Sequence, residues 1–246
     1  DREGPVAQIV LDGPSTLNAL GVDTLTALES WLTSLDANQS IRAVILTGAG
    51  RAFCVGADLN RLGTDHERTM AAANSLIQAI RAMDVPLIAA VNGLAVGYGA
   101  SLVATADLAI AAESMRMQAP FTALGLVPDG GLTHALPALA GRALAGEIAL
   151  VGRRLDAREA MAAGFVGSVV PDAELMDGAL ALAAAVVERP RRAIALTKHA
   201  LNAHDAEAMA AALEREGNAQ VDLLASDEFA RRSARFRAVD PTPSSR

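Results

Sequence analysis

Asn92-Gly93-Leu94-Ala95-Val96-Gly97-Tyr98-Gly99-Ala100-Ser101 lies between an apolar, strand-like run at 86–91 and a helical stretch that continues to about residue 106. It reads as a strand end, a glycine turn and the first turn of a helix. Upstream, Arg51-Ala52-Phe53-Cys54-Val55-Gly56-Ala57-Asp58-Leu59 repeats the arrangement. That segment follows a short buried strand at 43–46 and the turn Thr47-Gly48-Ala49-Gly50, and it puts a small-residue loop ahead of another helical stretch. Small residues let the main chain aim its N–H groups outward. N–H groups at a helix start lack an intrahelical acceptor and sit at the positive end of the dipole. Two of them converging on one oxygen form an oxyanion hole. Either turn alone reads equally well as an ordinary strand-to-helix connection; the two in this order, with Asn92-Gly93 ahead of the second, favour the paired reading.

The rest of the chain keeps the same rhythm. Residues 6–11 alternate toward a strand and end at Gly13-Pro14, and residues 25–35 carry Leu25, Leu28, Trp31, Leu32 and Leu35 at helical spacing. A second helix is expected over 66–82 and a strand over 108–111. Strand, turn and helix in alternation indicate α/β packing with sheets buried on both faces, which by itself suggests a doubly wound sheet. From Ala143 the character changes: helices at about 143–150, 156–163, 174–188, 190–203 and 205–225 follow one another with Gly and Pro between them. No repeat at fixed period and no low-complexity segment is visible. The tail 240–246, with Pro241, Pro243 and two serines, reads as a frayed terminus.

A chain of 246 residues suits one large domain or a domain with an appendage. With 52% hydrophobic but only 3% aromatic residues, its core must be built from Ala, Leu and Val, and the surplus of apolar helix surface points to cover by a partner subunit. No apolar run approaches the roughly 18 residues of a membrane span, since 87–96 is interrupted by Asn92-Gly93. A net charge of −7 without a basic block argues against a nucleic-acid surface. Lys198 is the only lysine, so a polyanionic ligand would be met by arginine forks and backbone amides. Cys54 is the only cysteine, which excludes an internal disulfide and suits a reducing, cytoplasmic setting. The sequence opens at Asp1 rather than methionine, which leaves room for an upstream segment.

Several motif readings fail on single residues. Gly97-Tyr98-Gly99 is not a dinucleotide fingerprint, because Leu102 stands at the third glycine position. Gly99-Ala100-Ser101-Leu102-Val103 lacks the last glycine of a nucleophile elbow. His66-Glu67-Arg68-Thr69-Met70 lacks the second histidine of a zinc helix, and His134, His199 and His204 show no ligand spacing, so no metal is expected.

The paired turns resemble the crotonase (enoyl-CoA hydratase/isomerase) superfamily, and the resemblance runs over nearly the whole chain. It implies an α/β fold with a crotonase-type ββα spiral core over 1–190. A C-terminal helical section over 191–246 would then cap the acyl site and build a homotrimer or a dimer of trimers. It implies an acyl-CoA substrate, with coenzyme A carried as part of it and no other cofactor. By the family's pattern the oxyanion amides are those of Val55 and Tyr98, with Gly97 allowing close approach. Asn18, Ala19 and Leu20 match the loop at the CoA entrance, Ala57, Asp58 and Leu59 the turn around the adenine end, and Lys198 a phosphate contact. Asp58 is in any case expected to cap a helix. Arg51 and Arg61 flank the turn and read either as phosphate contacts or as solvated surface cations.

Two departures carry the functional expectation. Ser101 and Phe121 stand where the family's hydratases carry glutamates. Hydration needs a water held and deprotonated beside the β-carbon; an unaided serine is no base near neutral pH and phenylalanine binds no water. Ser101 then reads as a helix-surface hydroxyl bonded to a carbonyl one turn back, and Phe121 as acyl-pocket wall. Gly125-Leu126-Val127-Pro128-Asp129-Gly130-Gly131 resembles the stretch in which the family's double-bond isomerases place a single acid, here Asp129. The resemblance therefore implies a 3-enoyl-CoA to 2-enoyl-CoA isomerase with Asp129 as acid/base. An enoyl-CoA hydratase or another crotonase reaction, and a non-catalytic acyl-CoA binder, are the alternatives. Asp129 also reads as the cap of a helix starting near Leu132. The Tyr98 ring would close the pocket, its hydroxyl holding a polar group of the acyl chain.

Overall fold

Strands that read as unbroken apolar runs must be covered on both faces. In the computed structural model, which describes residues 2–237, β3 (Ala43–Gly48) and β5 (Leu87–Val91) are such strands. Their side chains alternate between two separate cores: Val44, Leu46, Leu87, Ala89 and Val91 point into the larger, Ala43, Ile45, Ile88 and Ala90 into the smaller. Both lie in a six-stranded sheet with β1 (Arg2–Glu3), β2 (Val6–Leu11), β7 (Leu108–Ala112) and β10 (Ser168–Val170), in the order β1-β2-β3-β5-β7-β10. All neighbours are parallel except β1 and β2.

A second, four-stranded sheet takes the alternate strands: β4 (Ala52–Cys54), β6 (Leu94–Val96), β8 (Arg116–Gln118) and β9 (Leu155–Asp156), in that order. β3 thus hands the chain to β4, β5 to β6 and β7 to β8. A helix follows each of the first two pairs, α2 (His66–Ala82) and α3 (Tyr98–Thr105). This is the ββα spiral rather than a doubly wound sheet, and it brings the ends of β4 and β6 side by side.

α1 (Val22–Ala37) buries Leu25, Leu28, Leu32 and Leu35. Trp31, which shares the helical spacing expected from sequence, lies one position off that stripe and is 62% exposed. After β8 come a 3-10 turn (Phe121–Leu124), α4 (Leu132–Val151) and α5 (Ala157–Ala162). α4 is longer than the expected helix at 143–150 and is broken at Gly141, where φ 70° and ψ 164° are not helical. α6 (Leu175–Val187) closes the smaller core with Leu175, Ala179, Ala183 and Val186. α7 (Arg191–Ala203), α8 (Ala206–Leu224) and α9 (Asp227–Arg237) complete the described chain. α9 lies beyond the helices expected from sequence, and the tail 240–246 is outside the described residues. Among the described residues no helix is long and apolar enough to cross a membrane.

Candidate active site

Because β4 and β6 are parallel neighbours, Val55 and Gly97 leave the small sheet together. The turns touch: a methyl group placed on Gly56 would lie 3.0 Å from the Val96 carbonyl oxygen and 3.1 Å from the Tyr98 nitrogen. Gly97 adopts φ 57°, which a side chain would strain, and Gly99 abuts the Cys54 carbonyl so closely that no Cβ fits. The N–H of Gly97 is engaged by the Gln118 carbonyl, and those of Ala100 and Ser101 by the Gly97 carbonyl. Among the described residues no backbone carbonyl accepts from Val55 or Tyr98. Tyr98 opens α3, where an N–H has no intrahelical partner. The tip of the Phe121 ring faces this turn, 3.8 Å from where a methyl on Gly97 would stand.

Asp129 lies in the connection between the 3-10 turn and α4 and is 8% exposed. A methyl on the next residue, Gly130, would sit 2.8 Å from Ser101 Cβ and 3.0 Å from Tyr98 Cε2, so this loop rests on the first turn of α3. One carboxylate oxygen, Oδ2, accepts from Gln220 Nε2 at 2.9 Å; the other, Oδ1, is buried with no partner. Burial pushes the carboxyl up to about 7, the Gln220 hydrogen bond pulls against that, and the Glu216 charge adds to it.

The capping role expected as one reading of Asp129 belongs to a different residue. α4 begins at Leu132 after Gly131, which has no side-chain cap of its own. Glu216 of α8 supplies the carboxylate, accepting from the Gly131 N–H at 2.7 Å and the Thr133 N–H at 2.8 Å. The Asp129 carboxylate is therefore left for other work.

Three further expectations need correction. Ser101 is fully buried, and its hydroxyl donates to the Asp129 main-chain carbonyl at 2.7 Å, not to a carbonyl one turn back. The Tyr98 hydroxyl donates to the Ala73 carbonyl of α2 at 2.6 Å, so it pins the ring across the site and is not available to an acyl chain. Burial first, and the Asp129 charge after it, hold that phenol well above its ordinary value and therefore neutral. Asp58 caps no helix: its Oδ1 accepts from the Asn60 N–H at 3.0 Å, an Asx turn, while α2 starts at His66 with Asp65 as its cap.

Of the residues expected around coenzyme A, the two loops come together. Leu20 N–H donates to the Gly56 carbonyl at 2.8 Å and Asp58 N–H to the Leu20 carbonyl at 3.0 Å, which stitches 18–20 to 56–58. Asn18, at φ 60°, braces this junction. Its Nδ2 reaches the Ala52 and Ala49 carbonyls at 2.7 and 3.0 Å, and its Oδ1 accepts from Gly13 N–H at 2.9 Å. Ala19 and Leu59 are half-buried; Ala57, Arg51 and Arg61 are exposed at the same rim. Lys198 does not join them. It is buried, and its ammonium group donates to Asp107 Oδ2 at 2.7 Å and to the Ile80 and Val85 carbonyls, which uses all three N–H groups and leaves none for a phosphate.

Gln220 and Glu216 were not among the residues singled out from sequence. The available signal was the buried stripe of α8, Met209, Leu213, Glu216, Gln220 and Leu224, in which two polar residues one turn apart replace apolar ones. A buried polar side chain must find a partner, and here the partner is the loop carrying Asp129.

With the geometry in hand, comparison with known proteins gives one consistent answer. A family described as enoyl-CoA hydratase/isomerase matches residues 1–237. The chain is 35% identical over 246 residues to a 1,2-epoxyphenylacetyl-CoA isomerase of Escherichia coli, covering 96% of this chain and 90% of that protein. It is 33% identical over 207 residues to a short-chain-enoyl-CoA hydratase of Clostridium acetobutylicum, covering 82% and 79%. Among solved structures, an enoyl-CoA hydratase from Mycobacterium avium subsp. paratuberculosis superimposes with a TM-score of 0.89 at 32% identity, covering 95% of each chain.

Proposed function

The chain belongs to the enoyl-CoA hydratase/isomerase family, and from that premise we propose that it converts a 3-enoyl-CoA thioester into the 2-enoyl-CoA isomer. The observation that carries this reading is the state of Asp129: a buried carboxylate with one unpaired oxygen, raised into the neutral pH range, on a loop that rests against the Tyr98 turn. A 1,3-proton shift needs one such group. Oδ1 takes a proton from C2, the electron pair moves into the thioester carbonyl, and the resulting enolate oxygen lies between the Val55 and Tyr98 N–H groups. Collapse of the enolate draws the same proton back onto C4 and leaves the double bond between C2 and C3. Each amide contributes about 3 kcal/mol of transition-state stabilisation in comparable sites. A base with a pKa near the working pH suits both halves of the transfer.

Hydration is the weaker reading. Ser101 is committed to the Asp129 carbonyl and Phe121 is apolar, so neither holds a water for attack on C3. Loss of a positioned acid/base costs about 10²–10⁴-fold. The relatives include both an epoxyphenylacetyl-CoA isomerase and an enoyl-CoA hydratase, so the preference rests on the residues of the site.

The test is to supply a 3-enoyl-CoA and follow the absorbance of the conjugated 2-enoyl thioester. Turnover is expected, and Asp129→Asn should lose it by at least about 10²-fold. Wild-type turnover in that variant, or substantial conversion of crotonyl-CoA to its 3-hydroxy product, would reject the proposal. Calorimetric binding of acyl-CoA without turnover of any unsaturated thioester would favour a binder instead.

A further inference from the structure

A carboxylate that accepts a proton from one carbon and returns it to another has to be held at a fixed angle, with the O–H of its protonated form kept on the substrate side. Gln220 meets that requirement from outside the loop. It is 2% exposed on the buried stripe of α8, and both ends of its amide are engaged. Oε1 accepts from the Val127 N–H at 3.2 Å, which fixes which way the amide points; Nε2 then faces Asp129 and donates to Oδ2 at 2.9 Å. With Oδ2 anchored, Oδ1 is the oxygen left without a partner.

We infer that Gln220 is a positioning residue for the base: its amide holds one oxygen of Asp129 and presents the other to the substrate. The inference rests on the reading of Asp129 as the proton carrier.

A neutral donor suits this place better than a cation would. An arginine or lysine here would favour the ionised form so strongly that the carboxylate would cease to be a base near neutral pH. The amide opposes the effect of burial only in part. The titratable neighbours of Asp129 are Glu216, on the same helix as Gln220, and the Tyr98 phenol of α3. Glu216 is itself held above the usual carboxylate range by burial, with Arg215 beside it. No cation is among the groups that shift Asp129, so Gln220 is the side chain that favours its charged form.

Two variants separate positioning from mere packing. Q220M keeps the length and removes both hydrogen bonds; Q220E keeps the acceptor for Val127, and hence the loop anchor, but replaces the donor with a second acid. Each is read in two ways: the pH profile of kcat/KM with a 3-enoyl-CoA, and a carboxyl 13C NMR titration of aspartate-labelled enzyme, with the Asp129 signal assigned by its loss in Asp129→Asn. In Q220M the acid limb and the NMR midpoint should move up together by about one pH unit, and in Q220E further. KM should stay within about twofold while kcat on the alkaline plateau falls roughly ten- to a hundred-fold, as for a misplaced catalytic group. A limb and midpoint that stay at wild-type pH in both variants would overturn the inference while leaving the isomerase reading standing. A midpoint that moves in the variants while the wild-type enzyme shows no isomerase turnover at all would support the anchoring and sink the isomerase reading.

Discussion

At the scale of single residues, Asp129 combines a catalytic asset with a cost to the fold. Its carboxyl is raised from 3.8 to about 7 in the native state, mainly by burial. Below about pH 4 both folded and unfolded chains hold the proton, and this group's contribution to stability is fully present. Between about 4 and 7 the unfolded chain releases its proton before the folded one does, so that contribution is progressively lost, and above about 7 the loss is complete. Asparagine at 129 has the same shape without the titration. Asp129→Asn is therefore expected to be more stable than wild type at pH 8, by a few kcal/mol at most, and close to it at pH 4. Thermal unfolding at the two pH values checks this: a gain of several degrees in Tm at pH 8 is expected, and a loss there would show that the carboxylate is not paying a burial penalty.

At the scale of elements, the start of α4 depends on α8. Gly131 cannot cap the helix with a side chain, and Glu216 provides the missing acceptor from 85 residues away in sequence. Glu216→Ala would leave the Gly131 N–H buried without a partner, at about 1–3 kcal/mol, and would free the loop that carries Asp129. A Tm lowered by several degrees together with a fall in turnover is expected, with Glu216→Gln in between; a variant as stable and active as wild type would contradict the assignment. The same contact shows where sequence reading stops. β3, β5 and α2 were legible because burial on two faces, or on one stripe, leaves a local pattern. The paired turns were legible because glycine and alanine mark places where the backbone itself comes close. Asp58 was misread locally, since its carboxylate closes an Asx turn on Asn60 two residues on instead of capping a helix. Ser101 and Tyr98 were misread in detail for another reason: their polar atoms bond to partners set by the three-dimensional path, at Asp129 and Ala73. Lys198 was misplaced likewise, since nothing local shows that three acceptors converge on it from α2, from Val85 and from Asp107.

At the scale of the whole molecule, the chain leaves large apolar side chains in water. Leu150 and Val151 at the end of α4 are 67% and 77% exposed, and Leu196 and Leu201 of α7 are 59% and 71% exposed. Apolar surface of this kind is normally covered. The expected assembly is a homotrimer, alone or paired into a hexamer, held through the C-terminal helices. Sedimentation velocity checks it, and a stable, folded monomer at micromolar concentration would contradict it. The alternation of strands and turns persists over most of the chain and marks α/β packing, but by itself it points to a doubly wound sheet; the two-sheet spiral was expected only through the family resemblance of the paired turns. The docking of α8 onto the Asp129 loop was not accessible from sequence, because it joins residues separated by the full length of four intervening helices.

One measurement bears most directly on the claim that a lone carboxylate carries the proton from one carbon to the other. A 3-enoyl-CoA deuterated at C2 is turned over in ordinary water, and the product is analysed by NMR for label at C4. Deuterium at C4 above the solvent background, with no conversion by Asp129→Asn, is the expected result. Complete absence of label at C4, or full conversion by that variant, would contradict the account.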